Sequence, residues 1–364
     1  MKIAFYGSSI LSSYWNGAAT YYRGLLRALA SHGHDITFYE PDAYGRQENR
    51  DIDPPDWCRV VVYQATPEAA GAAAAEAAGA DVVVKASGVG YEDDWLLGAV
   101  LDAAQPRAVK IFWDVDAPAT LAELNADPDH PTRAALARLD AVLTYGGGDP
   151  VVDAYRRLGA AECVPIYNAL DPSTHHPVAP NDRFAAALGF LGNRLPDREA
   201  RVEEFFLEPA MRLPEATFLL GGSGWGDRAL PANVRHIGHV GTRDHNAFNV
   251  TPKAVLNINR TSMAETGFSP PTRVFEAAGA GACLITDEWP GIDQFLKPGE
   301  EVLVARDGRD VVDLMAGLGD ERAARIGQAA LARVLKDHTY EQRAVLVDAL
   351  LHRHAAGLRE RARA

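Results

Sequence analysis

Short apolar runs bounded by polar turns recur along the chain, and between them apolar residues return at helical spacing. That alternation predicts βαβ units and parallel sheets. A first set of strands is expected at 3–6, 36–39, 60–63, 82–85, 109–112, 141–144 and 163–165. A second is expected at 187–191, 217–220, 234–237, 255–258, 283–286 and 302–304. Between the two sets the chain is polar and carries His175, His176, Pro177 and Pro180, which reads as an interdomain linker. After Asp320 the pattern turns wholly helical, at 323–336 and 340–354, with a charged, frayed tail beyond Ala355. The alanine-rich stretch 69–80 reads as a helix that sets small residues against a sheet.

A chain of 364 residues exceeds one ordinary core. The expected division is therefore an amino-terminal domain at 1–170, a linker at 171–182, a second domain at 183–338 and a terminal helix at 339–364. Hydrophobic content of 47% is ample for two packed cores. The formal net charge of −13, with no basic stripe, argues against a dedicated nucleic-acid binder, so any phosphate recognition must be local. Cys58, Cys163 and Cys283 sit in or beside apolar runs at no metal or redox spacing and read as small buried hydrophobes. The first residues form a strand without a signal-peptide core, and no apolar run reaches the length of a membrane span, which points to a cytoplasmic protein. The histidines form no metal-binding spacing, and P-loop, nucleophile-elbow and kinase signatures are absent from the sequence, so neither a metal nor a resident cofactor is expected.

Ligands of doubly wound sheets bind outside the carboxyl ends of the strands. The most informative such end is 265–287, which reads as a loop, a short helix and a buried strand. Ser269 as N-cap and Pro270 as first helical residue would aim the orphan N–H groups and the positive dipole end out of the loop. Arg273 and Glu276, three apart, share one helix face. A cation at a helix start suits a diphosphate, and a carboxylate one turn on suits the hydroxyls of a ribose. Arg260, closing Asn257-Ile-Asn-Arg260, would add a second cation to the same diphosphate.

Other strand ends leave alternatives open. The loop Gly7-Ser-Ser-Ile-Leu-Ser-Ser-Tyr-Trp-Asn-Gly17 is either an ordinary βα turn or a loop that brings backbone N–H groups to a ligand at Gly17. Asp114 and Asp116 end a strand as helix caps or loop acceptors, or Asp116 serves as a general base or a sugar-hydroxyl acceptor. Arg194 and Arg198 face a diphosphate or pair with Glu199, Glu203 or Glu204, with Arg194 the preferred ligand contact. In Gly221-Gly-Ser-Gly-Trp225 the glycines around Ser223, Gly222 and Gly224, let the backbone approach a bound group or simply turn, and Trp225 is available to pack on a base.

Glu265-Thr-Gly267-Phe268, followed by Arg-x-Phe-Glu-Ala-x-Gly-x-Gly and an apolar strand, resembles the donor motif of two-domain (GT-B) glycosyltransferases, and most closely the spore-maturation CgeB-like family. Phe190-Leu-Gly-Asn193, His236-Ile-Gly-His-Val240, Asp287-Glu-Trp-Pro-Gly291, Pro298-Gly-Glu-Glu301 and His338-Thr-Tyr-x-x-Arg343 extend the likeness over the carboxyl-terminal half. Phe112-Trp-Asp-Val-Asp-Ala-Pro118 extends it more thinly to the other half. The resemblance implies two facing Rossmann-like domains and a last helix that returns to the first. It implies a metal-independent glycosyltransferase, retaining by its two-glutamate likeness or inverting with Asp116 as base, that takes a UDP-, GDP- or dTDP-sugar as co-substrate and passes the sugar to a small molecule, glycan or protein. It assigns Arg273, Asp116 and Glu265 to catalysis, His239 to the base, Glu276 to the ribose, and Gly267, Phe268 and Ser269 to the donor loop. Glu265 and Glu276 stand further apart than the family's two glutamates, which leaves Glu265 open to a structural role. The other readings compatible with the pattern are a sugar-nucleotide epimerase or hydrolase and a non-catalytic nucleotide-sugar binder.

Overall fold

Every apolar run expected to be a strand is one. In the computed structural model, which describes residues 1–14 and 16–362, the chain falls into two units: Met1–Tyr167 joined by the chain from Tyr340 onward, and Asn168–Thr339. The first unit holds β1 (Lys2–Tyr6), β2 (Asp35–Asp42), β3 (Arg59–Gln64), β4 (Val82–Ala86), β5 (Val109–Asp114), β6 (Ala141–Thr144) and β7 (Cys163–Pro165). They form one parallel sheet in the order β3-β2-β1-β4-β5-β6-β7. The register pairs Ile3 with Val82 and Tyr6 with Lys85. All five residues of β4 are buried, as expected for a strand covered on both faces by helices. Phe5 stacks on Phe38 at 5.2 Å between ring centroids and meets Tyr22 edge-on at 5.3 Å, which knits the sheet to the helix Ala18–Ser31.

The helix Tyr340–Arg361 also belongs to this unit. Tyr340, Val347, Leu350 and Leu351 are buried, and the Tyr340 ring fills the space over Gly24, where a Cβ would come within 2.2 Å of it. The sequence suggested fraying after Ala355, but the helix continues to Arg361. Arg353 and His354 both reach Glu162, and Arg359 and Arg361 lie in the last turn, where cations suit the negative end of the dipole. Arg363 and Ala364, the end of that tail, lie outside the described residues.

The second unit holds β8 (Leu188–Leu191), β9 (Phe218–Gly221), β10 (Val234–His236), β11 (Ala254–Asn257), β12 (Leu284–Asp287) and β13 (Leu303–Ala305). Their order is β10-β9-β8-β11-β12-β13, all parallel. Phe190, Phe206, Phe218, Leu256 and Ile285 form its core, each contributing about 1.5–3 kcal/mol of burial. The polar segment after Asn168 folds with this unit: Leu170 pairs with Thr339, and Gly279 admits the Leu170 side chain where a Cβ would collide at 2.2 Å. Among the described residues no helix is long and apolar enough to cross a membrane.

Candidate functional site

In the second unit the strand order runs one way from β8 and the other way from β11, so the gap beyond their carboxyl ends is the topological switch point. Three segments meet the chemistry there: the loop after β8 with the helix Pro196–Val202, the residues after β11, and the start of the helix Thr272–Ala280.

The loop after β8 is locked to the loop after β9. Gly192 N–H donates to the Gly221 carbonyl at 2.9 Å, Arg194 N–H to Ser223 O at 2.9 Å, and Ser223 N–H to Asn193 Oδ1 at 2.9 Å. Gly222, at φ 121°, lies so close that a Cβ would sit 2.2 Å from the Gly192 carbonyl oxygen. The glycine that the sequence offered to a ligand is therefore required by backbone meeting backbone. Trp225 corrects a second expectation: it is 1% exposed, and its indole N–H donates to Gly192 O at 2.8 Å. A ring held in the core has no face for a base. Gly224, at φ 87°, abuts the Arg194 Cβ.

The two arginines have different surroundings. Arg194 pairs with Glu199 at 2.7 Å and Asp227 at 3.0 Å, the solvated ion-pair fate. Arg198 lies over the Phe190 ring, 5.6 Å from its centroid, donates one N–H to Asn193 O, and leaves its buried Nε without a partner. Burial and the neighbouring Arg273, then Arg260, push the Arg198 pKa down to about 10. Arg260 heads the short helix Thr261–Thr266 and pairs with Asp197. Arg273 makes no hydrogen bond or ion pair among the described residues, and burial lowers its pKa against the pull of Glu276. Three cations thus gather at the switch point, and of the three only Arg260 has a carboxylate in contact among the described residues.

The helix carrying Arg273 starts later than its sequence suggested. Its N-cap is Pro271 with no side-chain cap bond, not Ser269, and Pro270 lies outside it. The cause is the Pro-Pro pair: a residue before proline is driven out of the helical region. The Pro270 carbonyl instead accepts from Asn168 Nδ2 at 2.9 Å. Ser269 is buried, and Gly267, at φ 70°, turns the chain against Pro290. Phe268, at φ 48°, donates its N–H to Pro290 O at 2.7 Å and packs over Gly291. Glu265 stands exposed on the short helix rather than in a loop, without an ion pair among the described residues. His239 is exposed in the loop after β10.

Glu276 is not alone. His175 Nε2 lies 4.0 Å from its Oε1, and His245 completes a group whose potential ligand atoms all fall within 4.8 Å of one another. Residues spread over 100 positions gave no short spacing by which a sequence motif could have found them. Behind the switch point, Asp287 at the end of β12 is fully buried and receives Arg201 at 2.6 Å and Asn259 N–H at 3.0 Å. Burial raises its pKa and Arg201 opposes that shift. This pair fixes the end of β11.

In the first unit the switch point lies between β1 and β4. Glu40, fully buried in the last half of β2, takes Ser9 Oγ at 2.9 Å and the N–H of Ile10 at 2.6 Å, and so orders the loop after β1. Asn16 ties the far side of that loop through the carbonyls of Ser9 and Ser12. Trp15 lies outside the described residues. Gly17 is the exposed N-cap of Ala18–Ser31 at φ −63°, with no atom of the described residues within 4 Å of its missing Cβ, so neither conformation nor their packing demands glycine there.

Asp114 and Asp116 separate cleanly. Asp114 is fully buried and accepts from Ser87 Oγ at 2.7 Å, Thr120 Oγ1 at 2.9 Å, Asp116 N–H at 3.0 Å and Tyr155 Oη. Burial raises its pKa while those donors lower it. It is a structural acceptor. Asp116 heads the helix Ala117–Ala126 with an exposed carboxylate that makes no cap bond.

Two parallel-sheet Rossmann-like units define the class: the fold is that of the GT-B glycosyltransferases. Residues 198–349 match a family model described as Glycosyl transferase-like. Sucrose-phosphate synthase from Thermosynechococcus elongatus superposes with a TM-score of 0.71 at 15% identity, over 98% of this chain and 100% of that one. Anabaena HepE in complex with UDP gives 0.69 at 14% identity, over 97% and 100%. The E. coli trehalose-6-phosphate protein bound with UDP-2-fluoro glucose gives 0.67 at 10%, over 96% and 99%. No protein of curated function matches the chain.

Proposed function

We propose that this chain is a CgeB-like glycosyltransferase that takes a sugar from a UDP-sugar and passes it to an acceptor hydroxyl, without a catalytic metal and with retention at the anomeric carbon. The observation that carries the reading is the gathering of Arg198, Arg260 and Arg273 at the switch point, where burial first and then Arg273 and Arg260 push the Arg198 pKa down to about 10. Cations gathered against their own repulsion at the mouth of a doubly wound sheet suit a diphosphate. Anabaena HepE, of the same fold, was obtained with UDP.

On this reading the glycosidic bond to the β-phosphate breaks and UDP leaves with the electron pair. Arg198 and Arg273 offset the charge that develops on it, with the N–H groups at the start of Thr272–Ala280 behind them. Glu276 holds the ribose. The acceptor oxygen bonds to the anomeric carbon on the face the diphosphate leaves, and its proton passes to the departing phosphate. Glu265 contacts the transferred sugar. Asp116 supports a second reading, because its carboxylate is exposed and makes no cap bond: as a base it would invert the centre.

The test is release of the nucleoside diphosphate from a panel of nucleotide sugars with candidate acceptors, with product configuration read by NMR. One donor should turn over with retention, and Arg273→Ala should lower kcat roughly 100–1,000-fold, as loss of an oxyanion donor does. Binding without release across the panel would favour the non-catalytic binder. Release independent of any acceptor would favour a hydrolase.

A further inference from the structure

We propose that His175, His245 and Glu276 form a binding site for a divalent transition ion of the zinc class. The three come from separate elements of the second unit: the turn after Asp171, the first residue of the helix His245–Val250, and the helix Thr272–Ala280. Their ligand atoms lie within 4.8 Å of one another. A tetrahedral ion draws such atoms to about 3.3 Å, a contraction that side-chain rotation supplies.

Hydrogen bonds hold both imidazole rings in place. His245 Nε2 lies 3.2 Å from the Val240 carbonyl. A carbonyl only accepts, so Nε2 carries the proton and Nδ1 keeps its lone pair. Ligating imidazoles are held in this way by a backbone carbonyl behind them. His175 is 6% exposed, and its Nδ1 is engaged by Thr174 Oγ1 at 3.0 Å. Its Nε2 is buried without a hydrogen-bond partner and faces Glu276 at 4.0 Å. A buried ring nitrogen without a partner, aimed at a carboxylate, is the second and independent mark of a ligand.

The donor set selects the ion. Two imidazoles and one carboxylate suit Zn²⁺ and its first-row neighbours and leave a fourth position for water. Mg²⁺, which prefers an octahedron of oxygens, fits poorly. Arg273 opposes a second cation nearby, and Glu276 on the same helix face offsets it. The site stands whether or not the chain transfers sugar.

The experiment is titration of the full chain with Zn²⁺ against a chromophoric chelator, and with Co²⁺ by visible absorption. Wild type should bind one Zn²⁺ and give the intense visible bands of four-coordinate Co²⁺, with no response to Mg²⁺. His175→Ala, His245→Ala and Glu276→Gln should each weaken Zn²⁺ by more than the roughly 10–100-fold that loss of an outer partner costs. His352→Ala, on the other unit, should leave it unchanged. Absence of Zn²⁺ binding by wild type, absence of the Co²⁺ bands, or binding undiminished in folded single variants would overturn the site.

Discussion

Trp225 closes a glycine-bearing turn at a strand end, a setting that in sequence invites a base-stacking role. Its burial and its bond to Gly192 O make it a pin between two loops instead. Trp225→Ala is accordingly expected to cost about 3–5 kcal/mol of stability, measured by denaturant unfolding. A variant of native stability with weakened nucleotide binding would return the residue to the ligand. Asp51 gives a pH-dependent counterpart in the first unit. Burial pushes its carboxyl up, but Arg23 at 2.7 Å and the bonds from Ser13 outweigh this and hold it at about 2. A depressed pKa contributes stability that is present above about pH 4 and lost as pH falls toward 2. The stability difference between wild type and Asp51→Asn should therefore shrink across that window; a difference that stays constant or grows would contradict it.

At the scale of elements, the loops after β8 and β9 act as one piece because Gly222 lets their backbones touch. Gly222→Ala combines a positive φ of 121° with a Cβ 2.2 Å from a carbonyl oxygen. It should destabilise by more than the roughly 1–3 kcal/mol of backbone strain alone, with a lowered Tm as readout. Gly17→Ala should be silent in the same assay, since its φ is ordinary and its surroundings open. The strands were legible because apolar runs in buried parallel sheets have few alternatives. The helix at 272 begins two residues later than the capping preference of Ser269 predicts, because Pro270-Pro271 forbids a helical Pro270. The final helix outran its reading because ion pairs to Glu162, more than 190 positions away, are invisible to local pattern.

The whole molecule is two doubly wound units, the first completed by the last helix of the chain. Removing the chain from Tyr340 onward strips four large buried side chains from the first unit, at about 1.5–3 kcal/mol each. That is comparable with the 5–15 kcal/mol of a typical domain. Limited proteolysis of the truncated chain should degrade the first unit and leave residues 168–339 resistant; survival of both would mean that the helix is dispensable. Site legibility was uneven at this scale. Arg273, Arg260 and Glu276 could be read from one segment and its predecessor, whereas Arg198 rather than Arg194 at the cationic centre depended on which guanidinium found carboxylates. The two histidines beside Glu276 were brought there by tertiary folding alone. If Glu276 holds the ribose, Zn²⁺ and UDP should compete. The central claim, that this end of the second sheet holds a nucleoside diphosphate, is tested most directly by calorimetric titration of UDP and of uridine into wild type, Arg198→Ala, Arg273→Ala and Arg194→Ala. Wild type should bind UDP far more tightly than uridine. Arg198→Ala and Arg273→Ala should each lose roughly 10–150-fold in UDP affinity, the worth of one charged hydrogen bond, and Arg194→Ala only a few-fold. Equal affinity for UDP and uridine, or UDP binding indifferent to Arg198 and Arg273, would contradict it.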